Sequence, residues 1–211
     1  MPSAFENLFR SPVPARDKLL ARLFGIFNED VVRIWSRCSA APYENLGRPT
    51  LRRKGSDTWA TLDFLLASRD RRVFVAEMKC ELEYENYKYL TLTDSSQLRH
   101  HRKPAFDLFL QAAADPSQVE VKTKTSKGSL LVHGAVLVWG DATARGRAAT
   151  IARYGFADVL TVSRMVQDLN RWQPPEWGAF ITDRRRWTTD LFDGLTTVSY
   201  THLTLPTSDL V

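Results

Sequence analysis

Apolar residues at Leu19, Leu20, Leu23, Phe24, Phe27, Val31, Ile34 and Trp35 recur at spacings of three and four. That pattern predicts an amphipathic helix over 16–38, or two abutting helices with Asn28 capping the second. The stretch 41–55 carries Pro42, Gly47, Pro49 and Gly55 and reads as an irregular connection ending in Arg52-Arg53-Lys54. Two strand-like segments, TWATLDFLL (58–66) and RVFVAEMK (72–79), flank a charged turn and predict a β-hairpin. A helical pattern covers 95–114, where Pro104 either kinks one helix or starts a second. Residues 117–128 read as a loop or an exposed edge strand, and the apolar run 129–140 as a buried central strand. A helix over 143–154 should stop at Gly155, and Ser163 should cap a helix that follows a strand at 156–162. Strand, helix, strand, helix in that order implies a parallel crossover and a mixed α/β sandwich. Pro174-Pro175 then breaks the chain before a further element over 176–197.

Composition adds mostly exclusions. The 211 residues are 44% hydrophobic and 25% charged, ordinary globular values that argue against a disordered or fibrous chain. No apolar run approaches the ~20 residues of a membrane span, so no membrane partner is expected. The N-terminus shows no secretory pattern. Cys38 and Cys80 are too few for a disulfide framework or a zinc site, which points to a cytoplasmic home. A net charge of +5 permits a nucleic-acid partner without requiring one.

The informative residues are Asp63 and, fourteen positions later, Glu77-Met78-Lys79. Alternation along the strand puts Glu77 and Lys79 on one face with Val73 and Val75, and sends Phe74, Ala76 and Met78 into the core. If the turn is the three residues Arg69-Asp70-Arg71, Ser68 opposes Arg72 and Asp63 opposes Glu77. Two carboxylates held at ~5 Å repel unless a cation lies between them. Oxygen ligands of this kind suit Mg²⁺ or Mn²⁺, and Lys79 beside them could position a water and hold a phosphate oxygen. A second acid-x-Lys triplet, Glu120-Val121-Lys122, lies in a polar stretch without an acid on a preceding apolar strand.

Asp63 with Glu77-x-Lys79 on a hairpin, after one helix and before another, resembles the PD-(D/E)xK nuclease superfamily. Leu62 stands where many members have proline. The resemblance implies a restriction-endonuclease-like core of the α-β-β-β-α-β type, with a mixed central sheet and flanking helices. It further implies a Mg²⁺-dependent cut of a phosphodiester, of DNA, that leaves a 5′-phosphate. Asp63 and Glu77 would bind the metal and Lys79 would act on water and phosphate. Glu29, in the first helix, would be the helical acid that completes the site in many members. Gln97 and Arg99 would reach substrate phosphates, with Arg102 and Lys103 in the same basic patch. Glu81, Glu83 and Glu85 read as an exposed acidic strand end. His100 and His101 read as members of the basic patch, His133 as a core histidine, and Tyr84, Tyr87 and Tyr89 as packing residues. The competing reading is a module on the same fold that binds nucleic acid or protein without cutting.

The nuclease-like domain is expected over 1–173, with 174–197 the start of a truncated C-terminal element. Residues 198–211 read VSYTHLTLPTSDLV, and Val198–Thr207 resembles the translation of a transposon-based sequencing adapter. The native sequence is therefore expected to end near Thr197.

Overall fold

The computed structural model describes residues 18–84, 88–101 and 103–201. The apolar stripe of the first helix runs unbroken, and α1 spans Lys18–Arg37 in one piece. Asn28 does not cap a second helix: it is buried inside α1, with neither amide atom hydrogen-bonded. A stripe that continues at i, i+3 and i+4 through Asn28 gives the helix no reason to stop there.

The fold is mixed α/β, built on a mixed central sheet with flanking helices. The sheet orders β1 (Tyr43–Asn45), β4 (Phe64–Ser68), β5 (Val73–Lys79), β8 (Ala135–Trp139) and β10 (Asp158–Thr161) side by side. β1–β4 and β4–β5 pair antiparallel, whereas β5–β8 and β8–β10 pair parallel. The parallel pairs are joined through helices, α2 (Pro104–Ala114) between β5 and β8 and α3 (Ala144–Tyr154) between β8 and β10. A second, antiparallel sheet orders β3 (Ala60–Thr61), β2 (Thr50–Arg53) and β7 (Val119–Lys122). Short parallel strands β6 (Thr91–Leu92) and β9 (Asp141–Ala142) form a third. The stretch read as an irregular connection thus contains two strands, and β7 is the expected edge strand.

Pro104 starts a new helix at its first turn, and a separate 3₁₀ helix, Ser95–His100, precedes it. The buried strand inside 129–140 begins only after Gly134. Leu130 bridges to Val121 instead, Leu131 is exposed, and His133 is an exposed residue whose Nδ1 accepts from the Val73 amide at 3.1 Å. Thr143 caps α3, and Gly155 closes it with φ +77°, a left-handed position that glycine takes without strain. Ser163 is not a cap; it lies inside α4 (Val162–Trp172) and donates to Asp141 Oδ1 at 2.7 Å. The Thr161 hydroxyl takes the capping role, accepting from the Arg164 amide at 3.3 Å.

Both faces of β5 are buried, where the alternation assigned the core to one. Leu65, Val75 and Leu137 join Phe106 and Phe109 of α2 in the main apolar cluster, on the Glu77 face. Phe74, Ala76 and Val136 are buried on the other. A strand paired on both edges in a mixed sheet with parallel crossovers is covered on both sides.

The chain divides into two compact units, Met1–Asn170 and Arg171–Val211. The second contains α5, Pro175–Thr201, which runs through residue 198; residues 202–211 of the suspected tail lie outside the described residues. No helix among the described residues is long and apolar enough to cross a membrane.

Candidate active site

The hairpin adopts the register that the odd turn predicts. Phe64 pairs with Ala76 and Ala67 with Val73, and the Ser68 amide donates to the Arg72 carbonyl at 2.9 Å. Even-numbered residues of β4 therefore occupy hydrogen-bonded pairs and odd-numbered ones the closer, non-hydrogen-bonded pairs. Continued one step beyond Phe64, where the observed ladder ends, this register sets Asp63 opposite Glu77 at such a close position, and the Asp63 charge acts on Glu77. At that step the backbone of β4 leaves the ladder and the Asp63 carboxylate replaces it, Oδ2 accepting from the Met78 amide at 2.9 Å.

Each carboxylate has its own cation. Lys79 Nζ donates to Glu77 Oε1 at 2.5 Å, and Arg48 Nη2 lies 3.6 Å from Asp63 Oδ1. Arg48 follows Gly47, whose φ of +109° and backbone N–H, donating to Asn45 Oδ1 at 2.8 Å, turn the chain there. Glu77 is buried and its Oε2 has no hydrogen-bond partner. Burial pushes the Glu77 pKa up, Lys79 pulls it down, and the Asp63 charge pushes it up again; the net direction is upward. The folded protein thus holds the Glu77 proton more firmly than the unfolded chain does. That contribution to stability is complete at low pH and is lost as pH rises from about 4, the ordinary carboxylate value, through the raised folded value. Glu77→Gln is therefore expected to melt higher than the wild type at pH 8 without metal, with the difference closing towards pH 4. Melting curves across that range are the check, and a lower melting temperature for the variant at pH 8 would contradict the burial argument.

Beyond Lys79 the site is aromatic. Lys79 Nζ lies 5.4 Å from the Phe106 ring centroid, and the edge of His101 meets both Phe106 and Trp139. His101 is half-buried, not part of a charged patch: burial first and Lys79 second push its pKa down to about 4, so the ring is neutral at pH 7. Its Nδ1 stands 3.9 Å from Glu81, while its Nε2 and the Trp139 Nε1 have no partner. His100 turns away and stacks on Tyr89 at 4.6 Å. Tyr84 is buried, as its packing role required.

The remaining predicted residues are not drawn into the pair. Glu29 binds Arg33 at 3.3 Å, one turn along α1. Among the described residues no three His, Cys, Asp or Glu side chains gather as a metal cluster, so Glu29 does not join Asp63 and Glu77. The Gln97 amide is consumed by the loop before it. Its Oε1 accepts from the Thr93 and Asp94 amides at 2.7 and 3.0 Å, and its Nε2 donates to the Lys88 and Thr91 carbonyls. Gln97→Ala is expected to cost about 1–2 kcal/mol in a urea melt, since four backbone groups must find water instead. A change near zero would mean that the loop is held by other contacts. Arg99 is exposed at a cavity of about 520 Å³ that Arg153, Tyr154 and Asp107 also line. Lys103 is exposed at the start of α2. Arg102, Glu85 and Tyr87 lie outside the described residues.

Two site residues escaped the sequence reading. Arg48 sits in a Pro- and Gly-rich stretch without periodicity, and His101 is hidden among basic neighbours. No family model, curated protein or solved structure gives a significant match to the chain.

Proposed function

We propose that the chain is a Mg²⁺-dependent nuclease of the PD-(D/E)xK class that hydrolyses phosphodiester bonds of DNA. The observation that carries this is the hairpin register, which opposes Asp63 to Glu77 at a close pair and keeps Lys79 on the Glu77 face. The element order supports it. With β2, β3, β6 and β7 as additions, α1-β1-β4-β5-α2-β8 runs as three antiparallel strands, a helix and a parallel strand, which is the order that a restriction-endonuclease-like core requires.

The residues suit a divalent ion. Two opposed carboxylates, one with a buried oxygen that no hydrogen bond satisfies, are the sparse oxygen set that Mg²⁺ accepts. Asp63 and Glu77 would hold it, with Mn²⁺ as a substitute. The ion would neutralise the scissile phosphate and acidify a bound water. Lys79 can release Glu77 and donate to a phosphate oxygen, and Arg48 can leave Asp63 for the same purpose. The neutral ring of His101 and the aromatic side chains of Phe106 and Trp139 make the Lys79 side of the site largely apolar.

The test is incubation of the full chain with supercoiled, linear and single-stranded DNA in Mg²⁺ or Mn²⁺, with EDTA controls. Metal-dependent cutting to 5′-phosphate ends is expected. The cations already paired with both carboxylates favour one competing reading, a module that binds nucleic acid or protein without cutting. Metal-independent binding by a folded chain that never cuts would establish it.

A further inference from the structure

The register of the small sheet carries a second consequence. Thr50 pairs with Thr61 and Leu51 with Ala60, and the Leu62 amide donates to the Pro49 carbonyl at 3.1 Å. The same register sets Trp59 beside Arg52 and Asp63 beside Arg48, and Arg48 and Asp63 do form an ion pair. Trp59 and Thr61 alternate along the run through β3 and share a face, and Asp63 lies at the bend that follows, where it reaches Arg48. Arg48, Thr50 and Arg52 alternate on the facing run, and Lys122, paired with Thr50 on the third strand, joins the same face. Leu51 and Val121 point the other way, into the core. Four residues of chain, at most about 13 Å, separate Trp59 from Asp63.

Trp59 is only half-buried, and the Arg52 guanidinium and the Lys122 ammonium lie over its ring, 4.7 and 5.1 Å from its centroid. Glu120 holds the Arg52 guanidinium in place, accepting from Nε at 3.0 Å and Nη2 at 2.8 Å. A half-buried indole with cations over its ring, near the Arg48–Asp63 ion pair, can stack a base once the flexible Lys122 swings from the ring to a phosphate. Duplex bases are already stacked on each other and cannot use it; unpaired bases can.

We propose that the outer face of β3-β2-β7 binds a single-stranded segment of nucleic acid, one base stacked on Trp59 and its phosphates held by Arg52, Lys122 and Arg48. This deepens the nuclease reading and rests on it for where the strand leads. The test is fluorescence anisotropy with labelled oligo-dT, oligo-rU and a duplex of equal length, in EDTA, on the full chain. Trp59→Ala is expected to weaken the single-stranded probes roughly 5- to 100-fold while Trp59→Phe retains most of the affinity. Duplex binding should be unchanged by either variant, and the two oligonucleotides show which sugar the face prefers. Should Trp59→Ala fail to fold, Lys122→Gln replaces it, with an expected fall of about 0.7 in the slope of log affinity against log salt. Wild-type protein without affinity for either oligonucleotide overturns the proposal. So does a folded Trp59→Ala, or a Lys122→Gln slope, that matches the wild type. Because metal is absent, these results are independent of cleavage. A chain that binds as expected but never cuts in Mg²⁺ fails the nuclease reading alone, and one that cuts while Trp59→Ala binds normally fails the platform alone.

Discussion

Lys79→Ala is expected to lower metal-dependent cleavage by about 10²–10³-fold or more while the protein stays folded. Lys79 donates to Glu77 Oε1 at 2.5 Å and is the main group that pulls the Glu77 pKa down, with a lesser pull from the Asp63 backbone amide. Without it, Glu77 keeps only the weaker hold of the Asp63 backbone amide, and the carboxyl holds its proton to still higher pH. The variant therefore loses a phosphate donor and also ionises a metal-binding carboxylate less readily, so its residual rate should climb more steeply with pH. Asp63→Asn separates the two effects. Its amide oxygen can still accept from the Met78 amide, which preserves the hairpin end, but the negative charge needed for the ion is gone. Wild type should melt higher when Mg²⁺ is added, and Asp63→Asn should not. Single-turnover cleavage rates and melting curves with and without Mg²⁺ are the measurements. A folded Lys79→Ala that cuts at the wild-type rate would end the assignment of Lys79.

The opposition of Asp63 and Glu77 was legible because a three-residue turn between two apolar strands fixes parity, and parity fixes every pair back to Asp63. The parallel crossover through α3 was legible for a similar reason: Thr143 and Gly155 mark both ends of the helix between two apolar runs. Short strands were not. β1 and β2 have three and four residues, too few for alternation to register against Pro42, Gly47 and Pro49. Arg48 was missed with them, although it sits opposite Asp63. Side-chain assignments failed where a tertiary neighbour competes with local chemistry. Asn28 is a good cap by type but lies in a helix that packing continues. Ser163 turns to Asp141, a partner that sequence spacing does not reveal. His101 looks cationic beside Arg99 and Lys103, yet Phe106 and Trp139 enclose it. Gln97 was expected at the phosphates because of its place after the hairpin; its amide instead ties down that loop.

Gly146→Ala is expected to destabilise the protein by about 2–4 kcal/mol, against the direction that helix propensity alone gives. Gly146 lies in the first turn of α3, and an alanine in a helix is ordinarily favoured over glycine by about 1 kcal/mol. Here a Cβ would stand 2.2 Å from the Leu92 carbonyl oxygen, 2.7 Å from its carbon and 2.9 Å from the Thr93 carbonyl carbon. All three are backbone atoms, so no rotamer relieves the contact and either α3 or the β6 segment must move. Leu92 cannot move freely, because its carbonyl accepts from the Thr143 amide at 3.0 Å and the Thr143 hydroxyl at 3.3 Å. That hydroxyl in turn accepts from the Gly146 amide at 3.0 Å, so a displaced helix loses its cap as well. The β6–β9 pairing would be strained by the same shift. For a chain of this length the loss corresponds to a fall in melting temperature of roughly 5–15 °C. The displacement would also reach the segment that Gln97 knots and that ends at His101 beside Lys79, so cleavage should become more temperature-sensitive than in the wild type. A melting temperature at or above that of the wild type would show that α3 and Leu92 do not pack this closely.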